Sequence, residues 1–262
     1  MRPMSALHLH RFGPDDGVTV LALHGLTGHG KRWEHLAGLL PEARVLAPDL
    51  RGHGRSTALP PWDFETIVAD LVALLDAEGA GAVAVVGHSF GGAAGVHLAA
   101  RHPERVRALV LLDPAIAVDP ERMGTIAQAN LDSPDYTDVA EARSDKRASA
   151  WGRDEVADEL LEAELAEHLV PTAGGRVGWR IAQPAITSYW GQLARPFVLP
   201  PASVPTVLVR AGRVRPPFVT PEFRAALAER LGPNLRDLVW DCDHMVAQAR
   251  PAETAGLVRS VL

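Results

Sequence analysis

The sequence has little of what marks several large classes of protein. Its 262 residues include one cysteine, Cys242, which excludes an intrachain disulfide framework and favours a reducing compartment. The formal net charge of −6 gives no reason to expect nucleic-acid binding. No apolar run approaches the length of a membrane span, and the N-terminal residues lack the basic-then-apolar profile of a signal peptide. We therefore expect a cytoplasmic protein with no membrane span and no nucleic-acid partner.

Lysine and aromatic residues are also scarce. Lys31 and Lys146 are the two lysines, so 24 of the 26 basic side chains are arginine, which indicates GC-rich coding rather than a function. Aromatic residues make up 5% of the chain. The apolar fraction of 47% is ordinary, and a chain of 262 residues can bury a sizeable core. One α/β domain or two small ones fit this length.

The most informative stretch is residues 83–95, which read VAVVGHSFGGAAG. An apolar run predicts a strand, a glycine-flanked serine follows, and small residues then predict a helix packed closely on a sheet. Gly87 and Gly91 flank Ser89 at positions where a Cβ would collide with neighbouring backbone. This is the G-x-S-x-G nucleophile elbow, which exposes a serine hydroxyl above the carboxyl end of a central strand. The alternative, a glycine-rich turn with an incidental serine, is less favoured because strand and helix both lie where the motif requires them.

Periodicity elsewhere predicts alternating strands and helices. We predict strands at residues 6–12, 18–23, 45–47, 106–112, 204–211 and 235–240, and helices at 33–40, 64–75, 120–131, 154–170 and 221–231. His8 and His10 lie on one face of the first predicted strand, where two imidazoles could bind a metal ion. Because no third ligand is near them in the sequence, we interpret them as surface residues of the strand.

Three motifs in order resemble the α/β-hydrolase fold: HGLTG after an early strand, PDLRGHGRS after the next strand, and GHSFGG at the elbow. The resemblance covers nearly the whole chain apart from a middle insertion. It implies a mostly parallel, eight-stranded twisted sheet with helices on both faces. Residues 1–116 and 202–262 would form this core, and residues 117–201 a mainly helical cap over the active-site mouth.

The resemblance also assigns residues to the active site. The backbone N–H groups of Leu26 and Phe90 would form the oxyanion hole, and His24 would shape the first loop. PDLRGHGRS would be a structural turn, so Asp49 and Ser56 receive no chemical role. His244, in the loop after the last strand, lies where the family has its general base.

The acid of the triad departs from the family pattern. Most relatives place it after the strand predicted here at residues 204–211, in a G-x-x-D arrangement, but this chain reads Gly212-Arg213-Val214-Arg215 there. Asp113 follows the neighbouring strand, where some family members place their acid, and it preserves the order Ser, Asp, His. Asp243, Asp241 or a weakened dyad without an acid remain alternatives. Arg213 and Arg215 could attract an anionic substrate or pair with Asp113, although solvated arginines are the simpler interpretation.

The predicted cap contains six of the 14 aromatic residues, including Trp151, Trp179, Trp190, Tyr189 and Phe197. We expect most of them to form the small core of the cap, with one or two lining an apolar acyl pocket. The acidic faces of the cap helices are expected to be solvated surface.

These observations predict a serine hydrolase that cleaves carboxylic esters, similar to esterases and lipases. Ser89, His244 and Asp113 would act through an acyl-enzyme intermediate on a small, partly apolar ester, without a metal or an organic cofactor. A C–C bond or lactone hydrolase and a haloperoxidase-like enzyme could use the same triad. A catalytically weak homologue that senses a ligand is the third alternative. The sequence leaves the oligomeric state, the physiological substrate and the mobility of the cap open.

Overall fold

A computed structural model of the chain describes residues 7–149, 151 and 155–262. Ala6, the first residue of the first predicted strand, and Asp154, the first of a predicted helix, lie outside these residues. The strands in chain order are β1 Leu9–Phe12, β2 Val18–Leu23, β3 Ala43–Pro48, β4 Val83–His88, β5 Val106–Leu112, β6 Leu169–Pro171, β7 Val177–Trp179, β8 Thr206–Ala211 and β9 Leu235–Trp240.

One large sheet organises the described residues, with the strand order β1-β3-β2-β4-β5-β8-β9. β1 is antiparallel to β3, and every other neighbouring pair is parallel. β4 and β5 are almost completely buried, as their largely apolar sequences predict, with Arg107 as the exposed residue of β5. The carboxyl ends of β2, β4, β5, β8 and β9 therefore meet at one edge of the sheet, where open α/β sheets place their ligands.

The predicted fold class is confirmed. The large sheet was expected to have eight strands, but it has seven in the described part of the chain. The eighth strand came from the family resemblance alone, and the sequence offers no further apolar run for it. β6 and β7 pair only with each other, as a separate antiparallel sheet in the predicted cap. Each of them is three residues long.

The helices are α1 Glu34–Gly38, α2 Phe64–Ala77, α3 Phe90–Arg101, α4 Pro120–Asp132, α5 Val139–Ala148, α6 Asp158–His168, α7 Gln183–Leu193, α8 Pro221–Leu231, α9 Val246–Ala249 and α10 Pro251–Arg259. Several of them begin at a side-chain cap. Asp63 accepts a hydrogen bond from the Thr66 N–H at 2.7 Å, and Asp119 and Thr220 cap α4 and α8, each followed by proline at the first helical position.

The sheet is covered on both faces. α2, α3 and α8 pack on one face around Leu71, Val96 and Phe223, and α1, α9 and α10 pack on the other around Leu36 and Val258. α4 to α7 and the small sheet lie between β5 and β8 in the chain, within the predicted cap. No described helix combines the length and the apolar character needed to cross a membrane.

Candidate active site

Ser89 lies at the tip of a sharp turn between β4 and α3, as the elbow motif predicts. Its backbone has φ 51° and ψ −116°, a conformation that costs a residue with a side chain about 1–3 kcal/mol. A Cβ on Gly91 would collide with the carbonyl oxygen of Leu23, and one on Gly87 would lie 2.5 Å from the carbonyl oxygen of Gly91. The close approach of β2, β4 and α3 therefore requires glycine on both sides of the strained serine.

His244 and Asp113 are joined by a hydrogen bond. The Nδ1–H of His244 donates to Asp113 Oδ2 at 2.6 Å, and the Ala211 N–H donates to Asp113 Oδ1 at 3.1 Å. Asp113 directly follows β5 and is buried, with φ 44°. With a carboxylate on Nδ1, the imidazole keeps Nε2 free to accept a proton.

The alternative acids have other partners. Both carboxylate oxygens of Asp241 accept hydrogen bonds from Arg213, at 2.8 and 2.9 Å. The backbone N–H of Asp243 donates to Glu155 at 2.7 Å, and among the described residues the carboxylate of Asp243 makes no hydrogen bond to His244. Arg213 also pairs with Glu155 rather than with Asp113. Of the candidate acids, the structure brings Asp113 to the histidine.

Two residues that the sequence analysis did not assign hold His244 in place. His88 donates from Nε2 to the carbonyl oxygen of His244 at 2.8 Å, and the two rings lie 4.6 Å apart. Burial lowers the pKa of His88 well below its usual value, so this ring is neutral. Phe218 contacts the same imidazole, with ring centroids 4.4 Å apart. His88 could have been suspected from its place beside Ser89 in the motif, whereas Phe218 carries no signal in the sequence.

Ser89 and His244 line the same pocket. Within the part of the chain that the structure describes, Ser89 Oγ is not hydrogen-bonded to the imidazole. Such contacts are often loose without substrate and tighten in the reacting complex. Ser89 and His244 thus face one cavity, with no hydrogen bond between their side chains among the described residues.

The predicted oxyanion donors, Leu26 and Phe90, both lie beside Ser89. Phe90 is the first residue of α3, so its N–H has no acceptor within the helix, and the helix dipole adds positive character there. Neither N–H donates a hydrogen bond within residues 7–149, 151 and 155–262. Both are free to bind a negative oxygen.

The loop that carries Leu26 is held by two buried histidines. His24 donates from Nδ1 to the Gly25 carbonyl at 2.8 Å, and its Nε2 accepts the Leu50 N–H at 2.9 Å. His53 accepts the Thr27 N–H at 3.3 Å. Burial lowers the pKa of His53 to about 4, which keeps this ring neutral. His24 therefore shapes the first loop, as the resemblance implied.

The pocket above Ser89 has a volume of about 270 Å³. Three tryptophans line it, together with other aromatic and polar residues: Trp151, Trp179, Trp190, Tyr136, Phe218, Arg32, Lys146, Asn130 and Gln183. The expectation that only one or two aromatic residues of the cap face the pocket is therefore wrong. Trp151 also packs in a small core with Leu161 and Leu165, as expected. Tyr189 and Phe197 pack instead in the main core, where the Tyr189 hydroxyl donates to the Arg51 carbonyl at 3.2 Å.

A buried charged cluster joins the predicted cap to the core behind this pocket. Glu164 on α6 accepts hydrogen bonds from Arg32 at 3.1 Å, His29 at 2.9 Å and Lys146 at 2.5 Å. Burial alone would raise the pKa of Glu164, but these neighbours outweigh it and hold the pKa well below its usual range. The Lys146 ammonium also lies 3.9 Å from the centre of the Trp179 ring. The expectation that the acidic helix faces are all solvated is wrong at Glu164, because three donors compensate its burial.

Replacing Glu164 with glutamine is expected to lower the free energy of unfolding by about 3–5 kcal/mol, because the buried cations lose their counter-charge. Urea denaturation at pH 7 measures this. Glu162→Gln is the matched control on the same helix: its carboxylate pairs with Arg143 in solvent, so a change below about 0.5 kcal/mol is expected.

The pH dependence separates this charge effect from a packing effect. The pKa of Glu164 is lower in the folded chain than in the unfolded chain, so its stabilisation is complete above the ordinary pKa of about 4.3 and is lost on acidification. The difference between wild type and Glu164→Gln should therefore shrink below that pH. A difference that stays constant with pH would contradict the electrostatic explanation.

Comparisons with known proteins agree with this geometry. A family model described as alpha/beta hydrolase fold matches residues 18–209. The chain is 52% identical over 256 residues to lipase LipV of Mycobacterium tuberculosis, covering 98% of this chain and 97% of the relative. It is 28% identical over 254 residues to the sn-1-specific diacylglycerol lipase ABHD11 of Mus musculus, with 93% and 80% covered.

Two solved structures have the same fold. A marine microorganism esterase matches with a TM-score of 0.79 at 20% identity, covering 98% of this chain and 100% of that chain. E-2-(acetamidomethylene)succinate hydrolase matches with a TM-score of 0.80 at 22% identity, covering 97% and 94%. The fold and the site define an α/β protein with a nucleophile-elbow serine beside a His–Asp pair. The chain belongs to the α/β-hydrolase family.

Proposed function

We propose that the protein is a serine hydrolase that cleaves carboxylic esters, with Ser89, His244 and Asp113 as its catalytic triad. The observation that carries the proposal is the 2.6 Å hydrogen bond between His244 and Asp113 at the pocket that contains Ser89. The 52% identity to a lipase over nearly the full chain supports esters as the substrates. The alternative of a non-catalytic sensor was based on the missing carboxylate at the G-x-x-D position. Because Asp113 supplies that carboxylate in this proposal, the sensor is no longer needed to explain the sequence.

In the first half-reaction, His244 Nε2 removes the Ser89 proton as Oγ attacks the ester carbonyl. The carbonyl oxygen becomes negative and accepts hydrogen bonds from the backbone N–H groups of Leu26 and Phe90. Preorganised donors of this kind are usually the largest single contribution to such catalysis. Asp113 stabilises the imidazolium, which then gives its proton to the departing alcohol.

In the second half-reaction, water attacks the acyl-enzyme. His244 takes one proton from the water, and the hydroxyl adds to the acyl carbon at the same oxyanion site. The tetrahedral intermediate collapses, Ser89 Oγ leaves with the proton from His244, and the carboxylic acid is released. The chain supplies every group that these steps require, so the proposal includes neither a metal nor an organic cofactor.

The pocket favours a small, partly apolar ester. Its volume of about 270 Å³ lies below the roughly 300–1,000 Å³ of most small-molecule sites. Trp151, Trp179 and Trp190 contribute rigid walls that accept short or aromatic acyl groups and exclude long chains. As part of this proposal, residues 117–201 act as the cap over the site. The proposal also places the enzyme in the cytoplasm, which its one thiol, the buried Cys242, supports.

Two measurements test the proposal. A fluorophosphonate probe should label the wild-type enzyme, and peptide mapping by mass spectrometry should place the adduct on Ser89. On p-nitrophenyl esters, kcat/KM for the butyrate should exceed that for the palmitate at least about tenfold, because a chain longer than the pocket has to displace its tryptophan walls, and overfilling of this kind costs about 1–3 kcal/mol. If the wild-type protein showed neither labelling nor turnover, the proposal that it is a serine hydrolase would be refuted.

Substitutions in the pocket make the chain-length test specific. Trp190→Ala should raise kcat/KM for the palmitate relative to the butyrate, because the variant enlarges the pocket. Trp62→Ala, which removes a tryptophan outside the pocket, should leave that ratio unchanged. A wild type that prefers the palmitate would overturn the small-ester assignment while leaving the triad in place.

A further inference from the structure

In the structure, Asp49 lies beside His8 and His10 as a third possible metal ligand, which the sequence did not reveal. β1 runs antiparallel to β3, with Leu9 opposite Pro48, and the Asp49 N–H donates to the His8 carbonyl at 2.8 Å. This pairing brings the Asp49 carboxylate against both imidazoles. One ligand atom from each of the three residues lies within 4.8 Å of the other two.

The distances fit the ligands of a tetrahedral metal ion. His10 Nε2 lies 3.3 Å from Asp49 Oδ1. A zinc ion with bonds of about 2.0–2.2 Å to nitrogen and oxygen holds its tetrahedral ligands roughly 3.3–3.5 Å apart. The contact lacks the alignment of a hydrogen bond, and His10 Nε2 is a buried atom without a hydrogen-bond partner among the described residues. The His8 ring lies edge-on to the His10 ring, with centroids 4.7 Å apart, and one of its nitrogens is within 4.8 Å of the other two ligand atoms.

The carboxylate of Asp49 is already oriented for this role. The Gly30 N–H donates to Oδ1 at 2.7 Å, and the Arg55 N–H donates to Oδ2 at 2.8 Å. A carboxylate accepts at about four lone-pair positions, so Oδ1 retains one for a cation. Outer donors that fix a ligating carboxylate are a regular part of protein metal sites. Asp49 thus has a structural role in its turn, as predicted, and a free lone pair toward the histidines.

We propose that His8, His10 and Asp49 bind one divalent transition-metal ion, with Zn²⁺ as the best fit and water in the fourth position. Two imidazoles and one carboxylate suit Zn²⁺ better than Mg²⁺ or Ca²⁺, which prefer oxygen ligands. None of the three residues lines the pocket above Ser89, so the ion takes no part in ester cleavage. It ties the edge strand β1 to the turn after β3 and, through Gly30, to the loop that follows β2.

Isothermal titration of EDTA-stripped, tag-free protein with ZnCl₂ tests the proposal. We expect one Zn²⁺ per chain, a rise in Tm that EDTA reverses, and no comparable response to MgCl₂. His8→Ala and His10→Ala should each weaken Zn²⁺ binding at least about tenfold. His102→Ala is the matched control, because this exposed imidazole pairs only with Glu104 among the described residues and should leave binding unchanged.

Two results would overturn the site. One is the absence of saturable Zn²⁺ binding to the wild type, which would leave only the structural contact between His10 and Asp49 at 3.3 Å. The other is binding by the His8→Ala/His10→Ala double variant that equals binding by His102→Ala, which would place the ion elsewhere. The test measures Zn²⁺ binding and Tm, so its outcome does not depend on whether the proposed ester hydrolysis is correct.

Discussion

Replacing Ser89 with alanine is expected to lower kcat on p-nitrophenyl butyrate by roughly a millionfold. The variant keeps the His244–Asp113 pair and the oxyanion donors but has no oxygen to form the acyl-enzyme. What remains is the weak acceleration that an oxyanion site gives to direct attack by water. The fluorophosphonate label should disappear with the same substitution.

The substitution should leave the fold intact. The Ser89 backbone makes the interactions that hold the elbow: its N–H donates to Leu112 at 3.1 Å, and its carbonyl accepts from Gly92 at 3.0 Å, from Ala93 at 3.2 Å and from Ala115 at 3.2 Å. Alanine retains all four, so the Tm should hardly change. Ser133→Ala is the matched control, since Ser133 lines the same pocket and should keep both label and turnover. Substantial turnover by Ser89→Ala would remove the proposed nucleophile.

The elbow could be predicted from the sequence because its determinants are local. A buried strand, two glycines and a helix of small residues are consecutive in the chain, and the structure has them as β4 and α3. The strands β8 and β9 were also predicted, β8 from its apolar run and β9 from the apolar residues that surround Arg236 and Asp237. His244 could be picked from eleven histidines because it follows the last strand of a recognisable pattern.

The acid could not be fixed in the same way. Asp113, Asp241 and Asp243 all follow predicted strands, and their distances to His244 depend on the order of β5, β8 and β9 in the sheet. Sequence periodicity gives the strands but not which turn residue reaches across to the imidazole. The positive φ of Asp113 is likewise imposed by its surroundings. The sequence therefore favoured Asp113 by its place after a neighbouring strand, but its contact with the imidazole depends on the three-dimensional arrangement of these turns.

Long-range contacts explain why the other features of the site were not predicted from the sequence. Glu164 reads as one of several acids on a polar helix, and only its approach to Arg32, 132 residues away, reveals a buried ion cluster. Asp49 reads as a turn residue until the β1–β3 pairing brings it to His10. The tryptophans of the proposed cap are equally apolar whether they face a core or a pocket. In each case the sequence supplies the chemistry and the fold decides the neighbour.

Replacing Asp113 with asparagine is expected to lower kcat by about 10⁴ with little change in KM. The asparagine oxygen can still accept the Ala211 N–H, so the fold should survive. Its amide N–H₂ would then face His244 Nδ1 and make that nitrogen an acceptor. The proton of the neutral ring moves to Nε2, which can no longer take the proton of Ser89.

Two of the other aspartates provide the controls. Asp241→Asn removes a carboxylate that pairs with Arg213 in solvent, and Asp243→Asn removes one that makes no hydrogen bond to His244 among the described residues. Both variants should keep kcat within about threefold of wild type, since their effect on the imidazole is at most a screened surface charge. Steady-state kinetics on p-nitrophenyl butyrate at pH 7–8 rank the three. The opposite ranking, with Asp113→Asn the mildest variant and Asp243→Asn the most damaging, would contradict the assignment. The hydrogen bond between Asp113 and His244 would then have only a structural role. The acid that orients the imidazole would have to reach Nδ1 through a rearranged loop.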